Sequence, residues 1–115
     1  MMLSEMNQTF NFHDSFIDSI QFNKQQSEVI LEIDFCNWMQ RDYKDGEPET
    51  SKVQFTFSDV KAFEGPAGIF DEMTILETEL RSGNKFVFKL SDLMSHNYCE
   101  IQIVAKKVNY IDLET

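Results

Sequence analysis

The nine residues Glu28-Val29-Ile30-Leu31-Glu32-Ile33-Asp34-Phe35-Cys36 decide the fold. Val29, Leu31, Ile33 and Phe35 fall on one side of an extended chain, and Glu32 and Asp34 on the other. A period of two, carried by β-branched and aromatic residues, describes a strand that buries one face and wets the other. The same alternation recurs at Val53, Phe55 and Phe57, at Phe86, Phe88 and Leu90, and at Cys99, Ile101, Ile103 and Ala105. One polar and one apolar face per strand is the pattern of an antiparallel sheet. The apolar phase predicts a core of Leu31, Ile33, Phe35, Phe55, Phe57, Phe86, Phe88, Ile101 and Ile103.

Weaker segments flank these. Phe16–Asn23 is extended, and the polar turn Asn23–Ser27 joins it to Glu28–Cys36 as a hairpin. Thr9–Phe12 also reads as extended. Met73–Arg81 reads two ways: Met73, Leu76 and Leu80 sit at helical spacing, with Asp71 to cap and Gly83 to stop. Yet Thr74, Leu76, Thr78 and Leu80 alternate, and Ser82-Gly83-Asn84 turns into Lys85–Leu90, which favours a strand. Ser91–His96 has the composition of a single helical turn. Val108 and Tyr110 carry the final alternation through Lys106–Asp112, as a long, bent last strand. The fold class expected is mainly β: about seven antiparallel strands in a sandwich or partly open barrel, with little helix.

With 115 residues, 42% hydrophobic and 26% charged, residues 1–115 make one globular domain. Acids outnumber bases 20 to 10, for a net charge of −10, which argues against a binder of nucleic-acid backbone. The start lacks the basic and apolar regions of a secretory signal, and no window holds 18 apolar residues, so no membrane span is expected. Cys36 and Cys99 are expected to be free thiols in a cytoplasmic protein.

The triplet His13-Asp14-Ser15 contains the letters of a hydrolytic triad, but those roles come from separated segments. It reads as a structural turn whose Asp and Ser bond nearby amides. Among His13, Asp14, Cys36, His96 and Cys99, only His96 and Cys99 lie close, and one pair falls short of a four-ligand zinc site. Gly65-Pro66-Ala67-Gly68 lacks the Lys-Ser or Lys-Thr of a phosphate loop. No catalytic residue, metal or cofactor is expected.

Charge is unevenly spread. Residues 1–50 hold ten acids against three bases, and residues 51–115 ten against seven. Asn37–Thr50 is a long connection that carries Asp42, Asp45, Glu47 and Glu49, with Trp38 and Tyr43 as aromatic anchors. Glu28, Glu32 and Asp34 share the outward face of the preceding strand. Strand and loop together are the candidate surface for a basic protein partner, which such a field would steer.

Phe12-His13-Asp14-Ser15-Phe16-Ile17, then Ile20, then Val53-Gln54-Phe55-Thr56-Phe57-Ser58-Asp59-Val60 with Phe63 resembles a group of small, uncharacterised bacterial proteins that open with a His-Asp-Ser element. Some of them are thought to be immunity proteins of polymorphic toxin systems. The resemblance covers about half of the chain and implies an acidic cytoplasmic protein that binds a toxin; it carries over no catalytic residue. The leading expectation is therefore a non-enzymatic binding module of the immunity or inhibitor type. The alternatives are a small enzyme or ligand-binding barrel that uses His13 with a carboxylate, and a homo-oligomeric structural protein, such as a homodimer, joined by sheet edges or by an exposed apolar strand face.

Overall fold

The computed structural model describes residues 1–66, 73–92 and 97–113. The chain runs α1 (Leu3–Thr9), β1 (Phe16–Asn23), β2 (Glu28–Cys36), a 3₁₀ turn (Asn37–Met39), β3 (Thr50–Ser58), β4 (Ala62–Glu64), β5 (Met73–Arg81), β6 (Lys85–Asp92), β7 (Tyr98–Val104) and β8 (Lys107–Asp112). All neighbouring strands are antiparallel, in one open eight-stranded sheet of order β4-β7-β6-β5-β1-β2-β3-β8.

That sheet doubles back on itself. Phe57 of β3 and Phe86 of β6 are four strand intervals apart, roughly 19 Å in a flat sheet at the usual spacing, yet their ring centroids lie 6.2 Å from one another. The inner faces of two halves, β1-β2-β3-β8 and β5-β6-β7-β4, therefore pack together. The halves meet edge to edge along β1 and β5 through only two ladder pairs, Phe16 with Thr74 and Ile17 with Met73. Phe12, from the segment before β1, fills the space between them. Its ring lies within 5.3 to 6.3 Å of Phe35 and Phe55 on one side and Phe86 and Phe88 on the other. All nine residues of the expected core are buried, none more than 4% exposed.

Met73–Arg81 is a strand, as its alternation favours. Three local readings change. Leu3–Thr9 is a helix that buries Leu3 and Met6 and touches β5 and β8. Glu5 begins it by accepting the Met2 amide at 3.2 Å, the backward half of a capping arrangement. Thr9–Phe12 is accordingly no strand: Thr9 ends the helix and Phe10–Phe12 run irregularly, because both rings turn inward rather than to alternate faces. The tail is not a bent extension of β7. The chain leaves β7 after Val104, the Lys106 amide bonds Ser58, and β8 pairs with β3 on the other half.

β4 has three residues and no legible alternation. Ser91 and Asp92 belong to β6, while the rest of the expected turn, with His96, lies outside the described residues, as does Ala67-Gly68. No helix among the described residues is long and apolar enough to cross a membrane.

Candidate binding surface

The corner before β1 holds the two halves together. Asp14 adopts φ +66°, a left-handed conformation that Asp tolerates better than most residues. This lets the Asp14 amide donate to the Ile75 carbonyl at 2.9 Å while the Ile75 amide donates to Ser15 at 2.8 Å. Ser15 is fully buried, and its hydroxyl accepts the Cys36 amide at 3.0 Å. The Cys36 thiol donates to the Asp14 carbonyl at 3.3 Å. Burial pushes this thiol's pKa up, the Ser15 hydroxyl pulls partly back, and the Asp14 carboxylate adds to the rise. Cys36 is thus held as a neutral thiol, a poor nucleophile. Neither Cys36 nor Cys99 forms a disulfide, and both are buried.

His13 faces the other way. Its Nδ1 lies 2.6 Å from the Leu76 carbonyl, which can only accept, so Nδ1 carries the proton. Its Nε2 is 3.5 Å from Asp14 Oδ1. Ser15 is buried against Cys36 while His13 is exposed and turned to Leu76 and Asp14, so the three side chains do not line up as nucleophile, base and orienter. They tie the end of β2 to the register shift of β5, between Ile75 and Glu77.

The connection from β2 to β3 is pinned along its length. The Asn37 and Trp38 amides both bond the Glu49 carbonyl, at 2.8 and 3.3 Å, closing the loop at its neck. At its far end the Tyr43 hydroxyl donates to the Glu47 carbonyl, and the Glu47 carboxylate accepts the Lys44 amide. Gln40 is the main tether. Its Oε1 accepts the Asn11 amide at 2.9 Å, and its Nε2 donates to the carbonyls of Asn11 and Cys36 at 2.7 and 2.9 Å. A side-chain amide thus stands in for a neighbouring strand. Against this fixed backbone Trp38 stays 46% exposed, and the carboxylates of Asp42, Asp45 and Glu49 have no ion pair or hydrogen bond among the described residues.

The acids of β2 are placed differently. Asp34 adjoins the loop but lies 3.8 Å from Lys52, which bonds Asp18 more closely at 2.8 Å. That contact with Asp18 is the main reason the Lys52 pKa is raised. Glu32 is further along the strand, and Glu28 begins it at the hairpin, about 26 Å from Cys36 at 3.3 Å per residue. Strand and loop are therefore not one continuous field as far as Glu28. The loop acids form one group, and Glu28 stands apart.

Two clefts border the loop. One, of about 920 Å³, lies between the Asn7–His13 segment, Met39–Asp42 and Glu77-Thr78. The other, of about 400 Å³, is bounded by Asn37, Gln40, Asp42, Tyr43, Glu47, Pro48, Ser51 and Asp112. Among the described residues no group of three or more His, Cys, Asp or Glu side chains is arranged to hold a metal. Comparison of the chain with protein-family models, curated proteins and solved structures finds no match. Gln40 carries no signal in the sequence, since nothing local marks a glutamine that bonds a backbone 29 residues away.

Proposed function

We propose that this chain is a non-catalytic, cytoplasmic binding module of the immunity or inhibitor type, and that the Asn37–Thr50 loop is the surface it offers to a basic protein partner. The observation that carries this reading is the contrast within the loop. Its backbone is tied at the neck, the middle and the tip, while Trp38, whose indole reaches the Cys36 thiol, stays about half exposed and the carboxylates of Asp42, Asp45 and Glu49 have no partner among the described residues. A contact surface fixed before binding loses little entropy on association. An exposed indole beside unpaired carboxylates suits an anchor with a steering field around it. Asp34 and Glu32 extend the field along β2, tempered by Lys52; Tyr43 and Glu47 serve the loop's own structure.

The test begins with affinity capture of a partner and continues with association kinetics. Reversal of Asp42, Asp45 and Glu49 to Lys is expected to slow association and to flatten its dependence on salt. Glu47 is left intact because its carboxylate holds Lys44. Trp38→Ala is expected instead to speed dissociation. A partner whose association is indifferent to salt between 0.1 and 1 M, where the screening length shrinks from about 10 to 3 Å, would refute the proposal.

A further inference from the structure

The larger cleft has a lining that the loop's role in protein binding does not explain. Its lining is mostly polar, with Asn7, Gln8, Thr9, Gln40 and Thr78 beside Phe10 and His13. Two full charges of opposite sign face into it from adjacent positions, Arg41 and Asp42. Neither has a hydrogen bond or ion pair among the described residues, and they do not pair with each other. In a chain with twice as many acids as bases, a guanidinium that shares a cleft with carboxylates and pairs with none of them retains its whole fork of donors.

We infer that this cleft binds a small zwitterion of the amino-acid or short-peptide class, with the ligand carboxylate on Arg41 and its ammonium on Asp42. The guanidinium fork matches a carboxylate in a bidentate fashion. A simple anion such as phosphate would meet repulsion from Asp42 and from Glu77 across the cleft, and a simple cation would meet Arg41. Glu77 is itself engaged by Lys89 at 2.9 Å, which leaves Asp42 as the acid for the ammonium. The amides of Asn7 and Gln8 supply donors and acceptors for a peptide bond, and the volume falls within the usual range for small-ligand sites, about 300–1,000 Å³. Gln40 is the positioning residue: by bonding Asn11 and Cys36 it holds Met39–Asp42 against the opposite wall. The inference shares Asp42 with the partner-facing loop but needs no protein partner, and Arg41, which that reading does not use, keeps the two tests distinguishable.

The experiment titrates the whole chain, labelled with ¹⁵N, with alanyl-alanine, its N-acetyl derivative, its C-terminal amide and inorganic phosphate. The free dipeptide is expected to shift the amides of Asn7–His13, Met39–Asp42 and Glu77-Thr78. Each blocked derivative is expected to bind about tenfold more weakly, the scale of one charge-assisted hydrogen bond. Arg41→Gln and Asp42→Asn, both exposed and without partners, should each cost the free dipeptide a similar factor while the melting temperature stays put. No shift with the dipeptide at 10-millimolar order, equal binding of either blocked form, tighter binding of phosphate, or unchanged affinity in either variant would overturn the assignment.

Discussion

On the outward face of β5, β6 and β7, every one of three glutamates has company. Lys89 lies 2.9 Å from Glu77 and 3.4 Å from Glu79, Arg81 lies 3.2 Å from Glu79 and 3.6 Å from Glu100, and the Tyr98 hydroxyl donates to Glu100 at 2.7 Å. In the Asn37–Thr50 loop, Asp42, Asp45 and Glu49 have none among the described residues. The strand face spends its charges on itself and shelters Val87, which points outward between Glu79 and Gln102 and yet is fully buried. The loop holds its shape through main-chain bonds and the side chains of Gln40, Tyr43 and Glu47, and leaves Asp42, Asp45 and Glu49 outside that set. Where structure is secured by main-chain bonds, charged side chains stay available to something else.

The sharpest way to break this comparison is to remove what both regions depend on. Phe12→Ala deletes the ring between the halves and should cost about 3–5 kcal/mol, the usual range for a buried aromatic, read as a lower midpoint in chemical denaturation. A near-normal midpoint would mean that the two inner faces do not share this packing. Ser15→Ala should cost less, about 1–3 kcal/mol, because it strands the buried Cys36 amide without an acceptor. The loss should appear with no change in how steeply stability falls with denaturant, since the surface exposed on unfolding stays the same.

A smaller effect separates the strand face from the loop by pH. The hydrogen bond from Arg81 is the main cause that holds Glu79 below the ordinary carboxyl value of 4.5, and the bond from Tyr98 does the same for Glu100. Below that value the unfolded chain takes up protons that the folded chain resists, so stability present above about pH 4.5 drains away as the pH falls through the folded values. Glu100→Gln should therefore flatten the acid limb of the stability profile; an unchanged limb would remove the network from the account. Smallest of all, reversal of Asp42, Asp45 and Glu49 to Lys should leave the melting temperature where it was. A clear drop would show that these acids support the fold after all.

What could be read from the chain beforehand follows from how locally each feature is encoded. β2, β3, β6 and β7 announce themselves because half-burial imposes a period of two on their own residues. α1 spends only Leu3 and Met6 on the core, too little for a periodic signal, and β4 is shorter than two periods. The folding of one sheet onto itself depends on which apolar faces meet, and every strand has one. The loop acids and Trp38 were visible as a cluster of letters. That Glu28 stands far from them, and that Arg41 faces a cleft, depends on strand direction and on the bond from Gln40 to Asn11, neither of which is written in a short window.

The two-pair seam between β1 and β5 also bears on how the chain reaches its native state. β1, β2 and β3 form a meander of sequence neighbours, as do β5, β6 and β7, and each can begin pairing over one short turn, at 24–27 and at 82–84. The seam joins Phe16 to Thr74, 58 positions away, and the β3–β8 ladder likewise waits for the last strand to arrive. Loop-closure entropy must be met before those distant contacts repay it. Folding is thus expected to run as the late docking of two early meanders, with the His13–Ser15 corner as the latch that closes them.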